Sequence, residues 1–308
     1  MNIKADLETI VDVNSVLCQQ AMSKYTSFRV GGPAQYLVMP REYSQVAQVM
    51  TYCIDKGLQL YVMGKGTNLL VSDYGLEGVV MMLEANLGDV RVADATIVAQ
   101  AGAALPRVSA IARASCLTGL EFASGIPGAI GGAVAMNAGA YDGEMKDVVQ
   151  RVLAVTPQGE FVTYRGEELE MGYRSSIFQS NDNVILEVEM ELQPGDCDDI
   201  AEKIQEYTRR RQEQQPLDKA SAGSTFRRPP GHYAGQLIES CDLRGERLGG
   251  AAVSEKHCGF IVNDGQATAQ EIYNLIRKVQ GEVKAKHNVE LQTEVKIWGK
   301  FNDQYGWG

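Results

Sequence analysis

Two glycine-rich stretches carry the clearest chemical signal in this sequence. In "YVMGKGTNLL" (61–70) a strand-like run enters Gly64-Lys65-Gly66. In "GIPGAIGGAVAMNAGAY" (125–141) ten of seventeen residues are Gly or Ala, and nothing from Phe122 to Tyr141 carries a charge. Glycine permits positive φ and leaves backbone N–H groups uncovered, so such turns can hold a phosphate. Thr67 and Asn68 add hydrogen-bonding side chains to the first turn. The blander readings are a tight turn for the first stretch and a close-packed helix–sheet contact for the second. Close packing accounts for the alanines. It accounts less well for Gly125, Gly128 and Gly131–Gly132 around Pro127, which interrupt any continuous helix. Two such loops point to a diphosphate held by backbone amides.

The first turn also invites comparison with a Rossmann fingerprint, because Glu84 lies twenty residues beyond Gly64. Leu69 stands where the third glycine belongs, and Gly75 and Gly78 break what should be the crossover helix. That reading is set aside.

The elements around these loops follow from periodicity. "EYSQVAQVMTYCIDKG" (42–57) has Val46, Val49, Met50, Cys53 and Ile54 at helical spacing, with Gly57 as a stop. Strands are expected at "QLYVM", "VVMML" (79–83), "VRVADATIVAQAG", "RVLAVT", "GEFVTY" and 184–192, with a helix around 105–117. Composition shifts at "QPGDCDD" (193–199), where a charged helix ended by Pro216 begins. The basic run Arg209–Arg211 reads as its solvated face. Thr268 and Glu271 form a capping box, and "VELQTEVKIW" (289–298) alternates as a last strand. The fold class is α+β, with a larger N-terminal domain (1–195, in two parts of about 1–57 and 58–195) and a smaller one at 196–308.

Composition bounds the function. The 308 residues carry a net charge of −10, which argues against general nucleic-acid or anionic-membrane binding. The segment 122–141 is long enough to span a bilayer, but five glycines, Pro127 and the lack of flanking basic anchors exclude a span. The start "MNIKADLETIVDVN" has acids where a signal peptide needs an apolar core. Six scattered cysteines without a CxxC pair read as reduced, cytosolic thiols. Three distant histidines offer no zinc site, so no metal is expected.

Six blocks in one order then carry a resemblance: "YTSFRVGGPA" (25–34), "GKGTNLLVSDYG" (64–75), "GLEFASGIPGAIGGAVAMNAGAYDGE" (119–144), "YRSSIF" (173–178), "SAGSTFRRP" (221–229) and "EVKIWG" (294–299). Together they closely resemble the UDP-N-acetylenolpyruvoylglucosamine reductase (MurB) family of bacterial cell-wall synthesis. The resemblance covers nearly the whole chain. It implies an FAD-binding fold of the vanillyl-alcohol-oxidase (PCMH) type followed by a smaller α+β substrate-binding domain. It also implies non-covalent FAD, NADPH as co-substrate, a cytoplasmic location and small-molecule partners only. Met63, Gly64, Lys65, Gly66, Thr67, Asn68, Leu69, Ser124, Gly125, Ile126, Pro127, Gly128, Gly131, Gly132, Asn137, Ala138 and Gly139 would then line the flavin.

The same resemblance assigns roles that residue type alone does not. Ser224 would otherwise be a turn residue, Arg174 a surface ion-pair residue and Glu294 a solvated carboxylate. The resemblance makes Ser224 the general acid, with Arg174 and Glu294 stabilising an enol-like intermediate. It implies that hydride passes from NADPH to flavin and then to the enolpyruvyl ether of UDP-N-acetylglucosamine. Tyr173, Arg228, Arg244, His257 and Lys296 are expected substrate contacts. One departure is visible: Thr293 precedes the glutamate where the family usually has proline. Two other readings stay open, an oxygen-using FAD oxidase of the same fold and a non-catalytic nucleotide-sugar sensor.

Overall fold

The computed structural model describes residues 2–303, so the last five residues of the expected second domain lie outside the described residues. The chain divides into two interleaved compact units. The first takes in the chain up to Cys18, Tyr36–Lys65 and Gly78–Arg211. The second takes in Gln19–Gln35, Gly66–Glu77 and the chain from Gln212 onward. The expected boundary at 195/196 therefore moves. The composition shift there marks the start of a helix, and that helix stays with the first unit because its Tyr207 is buried in that unit's core. The segments 19–35 and 66–77 go to the second unit because Phe28, Val30 and Leu70 are buried in its core.

In the first unit α1 spans Ile3–Val11 and α2 spans Tyr43–Asp55. Val46, Val49, Met50 and Cys53 form the buried stripe of α2, and Gly57 (φ 62°) turns the chain out of it. Ile54 falls outside the stripe and is 54% exposed, contrary to the expected face. Five antiparallel strands form the main sheet, in the order Phe161–Arg165, Val149–Val155, Val184–Glu191, Thr96–Gln100, Val90–Ala93. The alternation of Val184–Glu191 sorts its side chains: Leu186, Val188 and Met190 are buried. Glu187 and Glu189 point the other way, to Arg91 (2.9 Å) and Arg151 (2.8 Å). Leu60–Met63 pairs in parallel with Val79–Met82, and no helix connects them, in keeping with the rejected Rossmann unit. Three further helices complete the unit: α3 (Leu105–Ala114), the short α4 (Ile130–Ala135) and α5 (Cys197–Gln214).

Cys116 and Cys197 are joined by a disulfide, which corrects the expectation of six reduced thiols. Their separation of 81 residues hid the pair. Pairing of Gln193–Pro194 with Leu117–Thr118 aligns the two segments, and the Gly195 N–H donates to the Cys116 carbonyl (2.9 Å). The two Cα atoms are thereby 4.8 Å apart.

The second unit is built on four antiparallel strands in the order Ala220–Ser221, Ile261–Asn263, Ala251–Val253, Arg247–Leu248. Helix α6 (Ala234–Ser240) and the long α7 (Ala269–His287) contribute Leu237, Ile238, Ile272, Leu275, Ile276 and Val279 to its core. The capping box forms as expected, with Thr268 accepting from the Glu271 N–H and Glu271 from the Thr268 N–H. Only Lys296–Trp298 of the expected last strand is regular, paired in parallel with Leu69–Val71. Thr293 makes an isolated bridge to Phe226. No helix among the described residues is long and apolar enough to cross a membrane. No group of three His, Cys, Asp or Glu among them is placed to hold a metal ion.

Candidate active site

The two glycine loops meet in the first unit. A Cβ on Gly64 would come within 2.8 Å of the Ala129 Cβ, so that glycine is required for the loops to touch. Other glycines of 125–141 divide by what lies against them. Gly131 backs onto Ala101, whose Cβ would be 2.9 Å from an added one, and Gly139 onto Glu144 and Gly143. Close packing explains both. Gly132 faces open space, with nothing within 4 Å of an added Cβ. Gly125 faces Arg211, which sequence reasoning placed on a solvated helix face. Burial and helical spacing show why that was wrong. Ile200 and Tyr207 are the buried residues of α5, and Arg211 follows Tyr207 by four on the same side.

Several amides expected to reach a ligand are spent on the protein. Ile126 donates to Ala123 (3.1 Å), Gly131 to Ala101 (2.8 Å) and Ser124 to Glu121 (3.2 Å), and the neighbouring Ile130 to Ala103 (2.9 Å). Gly128 gives its carbonyl to the Leu105 N–H. Asn137 is wholly buried and holds a left-handed φ of 41°. Its amide donates to Glu144 Oε2 and the Gly172 carbonyl, each at 2.9 Å, and its Oδ1 accepts from the Lys146 N–H. Asn137 is thus a knot that shapes the loop, with both side-chain N–H donors spent on the protein. Ala138 closes the same turn, accepting from the Met145 N–H. Met63 is buried, and Lys65 lies 3.8 Å from Glu84.

That knot also positions Arg174. The residue has a left-handed φ of 54°, and its Nη2 donates to the Gly139 carbonyl at 3.0 Å. Gln179 donates to the Arg174 carbonyl (2.9 Å) and to the Ala135 carbonyl at the end of α4 (2.8 Å). Ser176 bonds the same Ala135 carbonyl. Tyr173 is 54% exposed, with its ring 5.3 Å from the guanidinium carbon of Arg174. A charged fork is therefore fixed beside the glycine loop.

In the second unit the segments that carry Ser224 and Glu294 run side by side, joined by an isolated bridge. The Glu294 N–H donates to the Thr225 carbonyl (2.8 Å) and the Arg227 N–H to the Gln292 carbonyl (2.9 Å). These two bonds make the bridge of Phe226 with Thr293. Neither uses the N–H of Thr293, so a proline there would not remove a bond of the bridge. Thr225 is fully buried and anchors the strand, donating its N–H to Gly259 (2.8 Å) and accepting from the Ile261 N–H (3.0 Å). Ser224, next to it, is exposed, and Glu294 is half-buried. The turn expected to hold flavin supports this pair. Gly66 adopts φ 64°, Asn68 donates to the Glu294 carbonyl (3.1 Å), and Leu69 is buried in the strand alongside.

The expected substrate contacts fare unequally. Lys296 projects beside Arg227, and its pKa is lowered by burial and by that second cation. The Nε of Arg227 is buried without a hydrogen-bond partner, so this pair of cations suits an anion. Arg228 lies 3.8 Å over the Tyr233 ring. Arg244 is committed to Glu239 (2.6 Å) and to the Glu255 carbonyl. His257 accepts the Gly259 N–H on Nδ1 (3.1 Å), and burial lowers its pKa, so it is neutral at neutral pH.

Residues 215–298 match the model of the UDP-N-acetylenolpyruvoylglucosamine reductase C-terminal domain, and residues 34–165 match an FAD binding domain. The chain is 45% identical over 294 residues to the UDP-N-acetylenolpyruvoylglucosamine reductase of Clostridium kluyveri, covering 96% of each chain. The chain belongs to this reductase family. A Clostridium botulinum (strain Hall) member is 46% identical over 302 residues, covering 98% of both chains. The crystal structure of the Thermus caldophilus enzyme superposes with a TM-score of 0.78 at 33% identity, over 91% of this chain and 98% of that one. A Phl p 4 variant, a glucose oxidase, shares the fold alone, with TM-score 0.51 and 14% identity over 64% of this chain and 45% of that one. As a member of the reductase family, the protein is an FAD-dependent oxidoreductase with the PCMH-type FAD fold followed by the family's C-terminal domain. Its residues fit the cofactor: Gly132 opens onto free space, and a half-buried guanidinium lies across Gly125.

Proposed function

We propose that this protein reduces the enolpyruvyl ether of UDP-N-acetylglucosamine to UDP-N-acetylmuramate, with NADPH as hydride source, in the cytoplasmic supply of peptidoglycan precursors. Bound FAD would supply the hydride chemistry between NADPH and the alkene, which no side chain can perform. The observation that supports the reading is that the Ser224 and Glu294 segments are bridged, Glu294 N–H to the Thr225 carbonyl, beside the Lys296–Arg227 cations.

The substrate's terminal alkene carbon gains hydride, and the carbon bearing the carboxylate must then gain a proton. Ser224 is exposed, with its hydroxyl available as the donor to that carbon. An alcohol is a weak acid at neutral pH, and the strong basicity of an enol-like carbon is what makes it sufficient. Arg174, held by Gly139, is proposed to stabilise the negative charge of the enol-like intermediate, and Glu294, held by Thr225 and Asn68, to do so as a protonated hydrogen-bond donor. Arg228 and Lys296 are proposed to meet the UDP end, and Tyr173 to pack on the substrate. Arg244 and His257, occupied by protein partners, are proposed to shape their loops.

The test is anaerobic. Enzyme reduced with one equivalent of NADPH should regain its flavin colour on adding one equivalent of the enol ether, yielding one UDP-N-acetylmuramate. An enzyme that recovers its colour with air but not with the enol ether is an oxidase.

A further inference from the structure

Arg211 stands apart from the arginines beside it. Arg209 and Arg210 are exposed, and Arg210 pairs with Glu206 one turn back. Arg211 turns inward. A Cβ on Gly125 would meet its Cδ at 3.0 Å and its Nη1 at 3.1 Å, so the side chain lies across the backbone of the glycine loop. No carboxylate among the described residues is within ion-pair distance of it. Burial lowers its pKa, and the only neighbour acting against that is the phenol of Tyr141. That phenol is itself engaged, donating to the Tyr207 carbonyl (2.7 Å) while the two rings stack at 4.2 Å. Tyr207 and Arg211, one turn apart on α5, thus form a rigid wall along the loop.

A half-buried cation without a counter-charge is unfavourable unless a ligand supplies one. Part of the donor set of the loop beside it is spent on the protein, because Ser124, Ile126, Ile130 and Gly131 donate their amides to protein carbonyls. A dinucleotide diphosphate placed there would meet fewer backbone donors than the run of glycines suggests, and a side-chain cation would add to them. We propose that Arg211 supplies that positive charge, binding the diphosphate of FAD over Gly125 through its planar fork. Arginine matches two phosphate oxygens at once, which a lysine does not. The inference rests on the FAD domain and not on the reductase reading, so either can fail without the other.

Flavin binding tests it directly, using Arg211→Gln, Arg211→Lys and Arg210→Gln, each stripped of flavin and titrated with FAD and with riboflavin, which has no phosphate. Flavin fluorescence gives the affinities and urea denaturation checks the fold. Arg211→Gln should weaken FAD at least tenfold and riboflavin less than twofold, with Arg211→Lys intermediate and Arg210→Gln unchanged. Should Arg211→Gln fail to fold, the lysine variant decides, by weakening FAD selectively. Equal weakening of FAD and riboflavin would show a structural role and overturn the proposal. So would unchanged FAD affinity combined with weaker binding of UDP, which would move Arg211 to the substrate's phosphates.

Discussion

Asn68 donates its side-chain amide to the main-chain carbonyl of Glu294 at 3.1 Å and accepts the Lys296 N–H on its own carbonyl at 3.0 Å. A residue of the first glycine turn is thus a strut under the segment that carries the carboxylate into the strand Lys296–Trp298. The turn folds with the second unit, and its parallel pairing with Lys296–Trp298 sets which way Glu294 and Lys296 project.

Replacing Asn68 with Ala should therefore act on the strand. The lost hydrogen bond is expected to lower stability by about 1 kcal/mol, read from urea unfolding, and to slow flavin reoxidation by the enol ether more than reduction by NADPH. A variant of unchanged stability that sheds its FAD would instead make Asn68 a flavin ligand.

Two neighbouring glycines should respond in opposite ways. Gly131→Ala puts a methyl group against Ala101 at 2.9 Å and should destabilise the fold by roughly 1–3 kcal/mol through overpacking. Gly132→Ala meets nothing within 4 Å and should leave the melting temperature unchanged while lowering FAD affinity. Thermal unfolding of the apo proteins beside flavin titrations separates the two. If both lose stability and neither changes affinity, the loop is packing alone.

Much of this was legible before any fold was known. Periodicity located α2, the strand Val184–Glu191 and the cap of α7, because each depends on local pattern and local hydrogen bonds. The six blocks identified the family, whose C-terminal domain and FAD domain the chain carries. What stayed hidden depends on contacts distant in sequence. The pairing of Cys116 with Cys197 and the passage of 66–77 into the second unit leave no trace in spacing. The resemblance placed Asn137 along the flavin; its three hydrogen bonds, to residues 7, 9 and 35 positions away, are a structural role that spacing does not reveal. Arg211 was recoverable, since Ile200, Ile204, Tyr207 and Arg211 recur at helical spacing and predict an inward face.

The state of His257 gives a pH prediction. Burial, then the nearby Arg244, hold its folded pKa below the ordinary 6.5, while its unfolded pKa stays there. The unfolded chain therefore takes up the proton first as pH falls, and this contribution to stability, complete above 6.5, is lost as pH drops through the folded pKa. Urea midpoints between pH 7.5 and 5 should fall more steeply for the wild type than for His257→Gln. Parallel curves would mean that the imidazole titrates alike in both states.

The central claim is that Ser224 gives the proton to the substrate carbon, and stopped-flow absorbance of the flavin band in separate half-reactions tests it most directly. Reduction by NADPH needs no donor at that carbon, so Ser224→Ala should bleach at nearly the wild-type rate. Reoxidation by the enol ether should slow by several orders of magnitude, because general acid catalysis is worth about 10²–10⁴ and positioning adds to it. Ser224→Cys, which retains a proton donor, should recover part of the loss. With FAD content matched, reoxidation of Ser224→Ala at the wild-type rate would contradict the account, leaving Ser224 a turn residue and Glu294 or a water as the donor.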